Sequence, residues 1–171
     1  MRLAILPEDA RQTGDAALVR IGAGDRARVS GPGLRAFRAI ADRWALSEKQ
    51  RLTLLGEPAR STYHQWMKKA QARAPLTLPL DTLLRISAVL GVHKALSILF
   101  VHEGEAMTWL KGPHEALVFA HQSPLEVMLS GTQDGILTVR RYLDGWRGGL
   151  HGGPAPDSGV APVRVEDLVF I

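Results

Sequence analysis

The residues best suited to chemistry in this chain lie between positions 60 and 69: Arg60, Ser61, Thr62, His64, Gln65, Lys68 and Lys69. Cations, hydroxyls and an amide in one short stretch are the groups that grip a polyanion. Lysine and arginine displace the counterions condensed on nucleic-acid phosphates. The Gln65 amide matches the donor and acceptor that adenine shows in the major groove. On a helix starting at Ser61, the polar side chains share one side and Tyr63, Trp66 and Met67 take the other. The arginine and the lysines are expected to serve mainly phosphates and Gln65 a base edge. Surface lysines also solvate ordinary amphipathic helices, so this face alone fits either use.

The elements around it are legible. Ser47 is a good N-cap and Gln50, three positions on, completes a capping box. Leu46 stands where a staple residue packs onto the first turn. Leu52 and Leu55 share a helical face, Gly56 follows where a glycine ends a helix, and Pro58 keeps the connection non-helical. A short helix, a glycine turn and a basic second helix form the helix-turn-helix pattern. Upstream, Leu34, Phe37, Ile40, Ala41 and Trp44 keep helical spacing, with Arg35, Arg38 and Arg43 off the stripe. Downstream, residues 74–80 (APLTLPL) are an extended connector. Asp81 can cap a helix closed by Gly91, and Val92 to Phe100 reads as a further one. Residues 34–100 thus read as about five helices around a small core, with Trp44 and Trp66 in it.

The charge distribution separates this region from the rest. The net charge is +4, yet residues 34–100 hold eleven basic and four acidic side chains, net +7. Residues 101–171 hold five basic and nine acidic, net −4. The cationic region suits a polyanion, and the anionic one should face something else. The N-terminus lacks the pattern of a secretory signal, and no apolar run approaches the ~20 residues of a membrane span, so no membrane is expected. With no cysteine there are no disulfides or thiolate ligands, in keeping with a cytoplasmic protein. The six histidines are scattered without ligand spacing, so no metal is expected, and no nucleotide-cradling loop or nucleophile motif is present. The expectation is a non-enzyme without cofactors.

Residues 101–147 form a second unit. A helix ends in Trp109-Leu110 before Gly112-Pro113, and Leu117, Val118 and Phe119 follow. Ser123-Pro124-Leu125-Glu126 is a helix start with a serine cap, proline at the first helical position and glutamate at the third. Ser130-Gly131 stops that helix, and a last one runs from about Gln133 to Arg147. Gly135, early in it, costs up to ~1 kcal/mol against alanine, which suggests close approach of another backbone. Residues 148–162 read as a linker, and Val163–Ile171 reads as a possible strand that should dock somewhere. Residues 1–33, broken by Gly22, Gly24, Gly31, Pro32 and Gly33, read as an arm with one short element.

The ordered set of Trp109-Leu110, Ser123-Pro124-Leu125, Leu129, Gly131, Gly135, Val139 and Leu143 resembles the Xre/MbcA/ParS antitoxins of bacterial type II toxin–antitoxin systems. In the first unit the match is residues 34–44, 46–55, 60–66 and 83–91. The resemblance implies a mostly α fold: an Xre-like helix-turn-helix bundle at 34–100 and a small toxin-binding domain at 101–147, between an arm (1–33) and a linker with tail (148–171). It implies binding and neutralisation of a RES-class toxin that consumes NAD, and repression of the operon through operator DNA. A homodimer is expected, since two recognition helices reading half-sites gain affinity by linkage. The implied toxin contacts are Trp109, Leu110, Pro124, Leu125, Leu129, Gly131, Gly135, Arg140 and, on the tail, Arg164, which could fill a pocket meant for a substrate phosphate. The alternatives are tail pairing within the dimer and, for the whole chain, a stand-alone transcription regulator.

Overall fold

A computed structural model describes residues 22–149, and within them the chain is all helix and turn. The order is α1 (Ala23–Arg43), α2 (Glu48–Leu54), α3 (Arg60–Gln71), α4 (Leu80–Leu99), α5 (Glu103–Lys111), α6 (Pro124–Met128) and α7 (Gln133–Arg147). The mostly α fold follows the expectation. The segment Ala16–Ile21, most of the 148–162 linker, and the 163–171 strand with Arg164 lie outside the described residues.

α4 is the axis. It packs against α1 on the N-terminal side and α7 on the C-terminal side, and α5 also touches it. Thr82, Leu83, Ile86, Ala88, Val89, Val92, Ala95 and Leu96 are all buried along it, which is why its sequence is apolar nearly all round. By length and mean hydropathy (1.4) it would suffice to cross a bilayer. Asp81, Arg85 and Lys94 interrupt it, however, and α1 and α7 cover it, so it is the core helix of this fold.

Three expectations are corrected here. Asp81 does not cap α4: the cap position is Pro79, and Asp81 lies inside the first turn, where its carboxylate takes Arg85 Nε (2.8 Å). Gly91 does not close a helix: α4 runs on to Leu99, so residues 34–100 hold four helices. A Cβ at Gly91 would come 2.7 Å from Arg140 Nε, so this glycine is the notch that lets Arg140 of α7 cross α4. The arm is likewise shorter than its glycines suggested, since α1 starts at Ala23 and carries Pro32 inside it. What outweighs the breakers is packing. Ser30 is fully buried; its hydroxyl donates to Arg26 O (2.6 Å) and accepts from Leu78 N (2.9 Å). That ties the front of α1 to the 74–80 connector, and most helical stability in proteins comes from such tertiary contacts.

Several other local readings hold. The Ser47–Gln50 and Ser123–Glu126 capping boxes both form. Leu46, Trp44 and Leu55 are buried, and Trp66 is half-buried against the core. At the end of α2, Glu57 N donates to Leu52 O (2.8 Å) and Gly56 N to Thr53 O (3.2 Å), the paired bonds of a Schellman turn. Gly56 (φ 88°) and Glu57 (φ 57°) both take the left-handed conformation, which turns the chain into α3.

A cationic helix face and a buried toxin-domain pattern

α3 buries Tyr63, Met67 and Ala70 against the bundle. This fixes the opposite side outward: Arg60, Ser61, His64, Gln65, Lys68 and Lys69 are exposed and Thr62 is half-buried. All seven sequence candidates therefore lie on one helix, with Thr62 at the edge of the face. Lys68 and Lys69 occupy its last turn, where cations also complement the helix dipole. Arg35 Nη1 caps the same end by donating to Ala70 O (2.8 Å).

Between α1, α2 and α3 lies a polar cleft of about 330 Å³ whose walls include Arg38, Arg51, His64 and Lys68. Arg51 is fixed there by Asp42 (2.7 Å) and by donation to Leu46 O (2.9 Å). Glu48 stands at the edge of the α3 face. Its carboxylate takes Arg60 Nε with one oxygen and lies 3.5 Å from His64 Nε2 with the other. The pattern reader misses it because the partners are twelve and sixteen residues apart across a turn.

In the second unit most of the described residues expected to touch a toxin are buried. Trp109 is 7% exposed, Leu110 0% and Leu125 8%. Pro124 and Gly135 are buried, Leu129 and Gly131 half-buried. Trp109 centres an aromatic cluster of Phe100, His114, Phe119, Tyr142 and Trp146, with Tyr142 stacked on it at 19° between planes. His114 fixes the turn after α5 through its Nε2 on Trp109 O (2.7 Å). A Cβ on Gly135 would come 2.3 Å from Val127 O and 2.5 Å from Ser130 Oγ, so the backbones of α6 and α7 do meet there. Arg140 reaches over Gly91 and lies 3.6 Å from Asp144.

An exposed apolar surface of this unit lies on the loop before α6. Leu117 is 99% exposed and Val118 43%. Beside them a cleft of about 660 Å³ is bordered by Ala116, Asp134, Thr138 and Arg141.

Two charges respond to their surroundings. The Glu126 carboxyl titrates below its ordinary value because the Ser123 backbone and hydroxyl donate to it. His93 is held below its ordinary 6.5 by burial and then by Arg43, with Glu103 opposing.

Comparison with known proteins supplies the identification. Residues 23–91 match the antitoxin Xre-like helix-turn-helix domain. Residues 95–149 match the antitoxin Xre/MbcA/ParS C-terminal toxin-binding domain. The chain belongs to the Xre/MbcA/ParS antitoxin family. It is also 46% identical over 125 residues to the uncharacterized protein y4oB of Sinorhizobium fredii, covering 73% of this chain and 91% of that protein. The antitoxin is thus a type II antitoxin with a DNA-binding helix-turn-helix followed by a toxin-binding domain. The matches change hands within α4, whose first half completes the helix-turn-helix bundle and whose second half opens the toxin-binding unit. Both matched descriptions name domains of antitoxins.

Proposed function

We propose that this antitoxin neutralises a RES-class toxin that consumes NAD, and that as a cytoplasmic homodimer it represses its own operon. The observation that carries the reading is the pairing, in one chain, of an Xre-like helix-turn-helix with a toxin-binding domain. The exposed cations of α3 support operator binding through Arg60, Ser61, Thr62, His64, Gln65, Lys68 and Lys69, with Gln65 on a base edge.

Neutralisation uses the surface of residues 109–147. The buried Trp109, Leu110, Pro124, Leu125 and Gly135 shape this surface, and Leu117, Val118 and Arg141 meet the toxin. An exposed apolar pair beside a charged rim is the composition of a protein-binding surface. The tail adds a second element: Arg164 enters the toxin's phosphate pocket.

Expression of the adjacent reading frame alone tests the whole. Growth arrest with loss of cellular NAD, both reversed by this chain, is the expected result. A companion that arrests growth with NAD intact would replace the toxin class, and no association in solution would leave the stand-alone regulator. Truncation at Gly149 isolates the tail: full suppression without residues 150–171 would remove Arg164 from the mechanism.

A further inference from the structure

Arg60 stands at the first position of α3, at the positive end of the helix dipole, and α3 has no acidic residue in its first turn. A cation is disfavoured there. The compensating charge comes from another helix: Glu48, the first residue of α2, holds Arg60 through Nε and reaches His64 with its second oxygen. Among the described residues nothing else takes the two terminal nitrogens of Arg60. The Arg60 side chain is 76% exposed and that of Glu48 34%. Arg38, Arg51 and Lys68 border the same cleft, so a carboxylate here has the wrong sign for a surface that merely collects phosphates.

We propose that Glu48 is a specificity-determining residue of the DNA interface: it pins Arg60 so that the terminal fork faces a guanine edge, and it keeps Arg60 and His64 off the phosphates. This rests on the DNA-binding reading of α3. It reassigns Arg60, which the sequence alone would place on the backbone. A guanidinium held at Nε keeps both Nη groups for guanine O6 and N7, the bidentate arrangement of specific contacts. Phosphate contacts add affinity without sequence information. A cation barred from phosphate therefore adds discrimination and little salt dependence.

Glu48→Gln retains the shape and removes the charge. Arg60 and His64 then turn to phosphate, non-specific binding tightens and guanine discrimination falls. The experiment selects a preferred sequence from random duplexes with the full wild-type chain. It then measures binding, over a range of salt, to the selected duplex, to one with the guanine replaced and to a shuffled one. For Glu48→Gln the shuffled duplex should bind about threefold tighter or more, with a salt slope steeper by about 0.9 for each cation that turns to phosphate. The ratio of selected to replaced-guanine affinity should fall about tenfold. In an Arg60→Ala background the same change should leave that ratio alone, an outcome that a purely structural Glu48 would not give. Glu48→Asp, which keeps the charge on a shorter arm, should keep the wild-type slope and lose part of the discrimination.

Unchanged ratio and slope would overturn the proposal. So would equal weakening on all duplexes, or a shift of preference at a cytosine independent of Arg60, which would make Glu48 itself the reader. A wild-type chain that binds no duplex removes the DNA-binding reading as well. A clear motif with Glu48→Gln matching wild type removes Glu48 alone.

Discussion

The two halves of the molecule use their characteristic residues in opposite ways. In the helix-turn-helix half, the residues proposed to meet DNA stand on the outside of α3, while generic apolar side chains hold the bundle. In the toxin-binding half, several of the pattern residues hold the bundle: Trp109, Leu110, Leu125 and Gly135 are buried, while Leu117 and Val118, outside the pattern, are exposed. DNA has one repeating shape and charge, so a helix that presents cations outward can serve many partners. A protein partner is met by a particular surface. The pattern read in this unit therefore records what shapes the surface more than what touches the partner.

This contrast can be broken by mutation, and the largest effects should come from the buried half. Leu110→Ala should cost about 2–5 kcal/mol of stability by urea denaturation, because Leu110 is fully enclosed. Gly135→Ala should cost about 1–3 kcal/mol, since its Cβ has no room against Val127 O. Equal stability for either variant would mean that these residues do not hold the bundle. Leu117→Asp should do the reverse: melting within about 0.5 kcal/mol of wild type, but toxin affinity down about tenfold or more in calorimetry. Lys68→Ala with Lys69→Ala should leave the melt alone and flatten the salt slope of DNA binding by about one to two units; an unchanged slope would take this face off the phosphates.

The smallest effect sharpens the junction between the halves. His93 titrates below its ordinary 6.5, so its neutral form is the one the fold favours. Its contribution to stability is therefore present above that value and lost as pH falls through the folded value. His93→Gln should reduce the drop in melting temperature between pH 7.5 and pH 5.5, read by circular dichroism.

Much of this was legible in residue order. Both capping boxes, the Gly56 turn, the α3 polar face and the Gly135 close approach rest on interactions within a few residues or on a simple helical period. Two of the departures came at glycine and proline. Gly31, Pro32 and Gly33 were read as breakers, yet α1 passes through them because Ser30 is pinned to Leu78. Gly91 was read as a stop, yet it is a gap filled by Arg140 from a helix forty-nine residues on.

By itself the sequence determined which residues are apolar at helical spacing, where helices are capped, and that the cations gather in the first half and the acids in the second. Those are properties of neighbours along the chain. Only the tertiary structure decided that the toxin-domain pattern faces inward, that α4 joins both units, and that Glu48 meets Arg60 and His64. Each of these depends on the direction in which a helix face points once another helix has packed against it, and local propensity does not encode that direction.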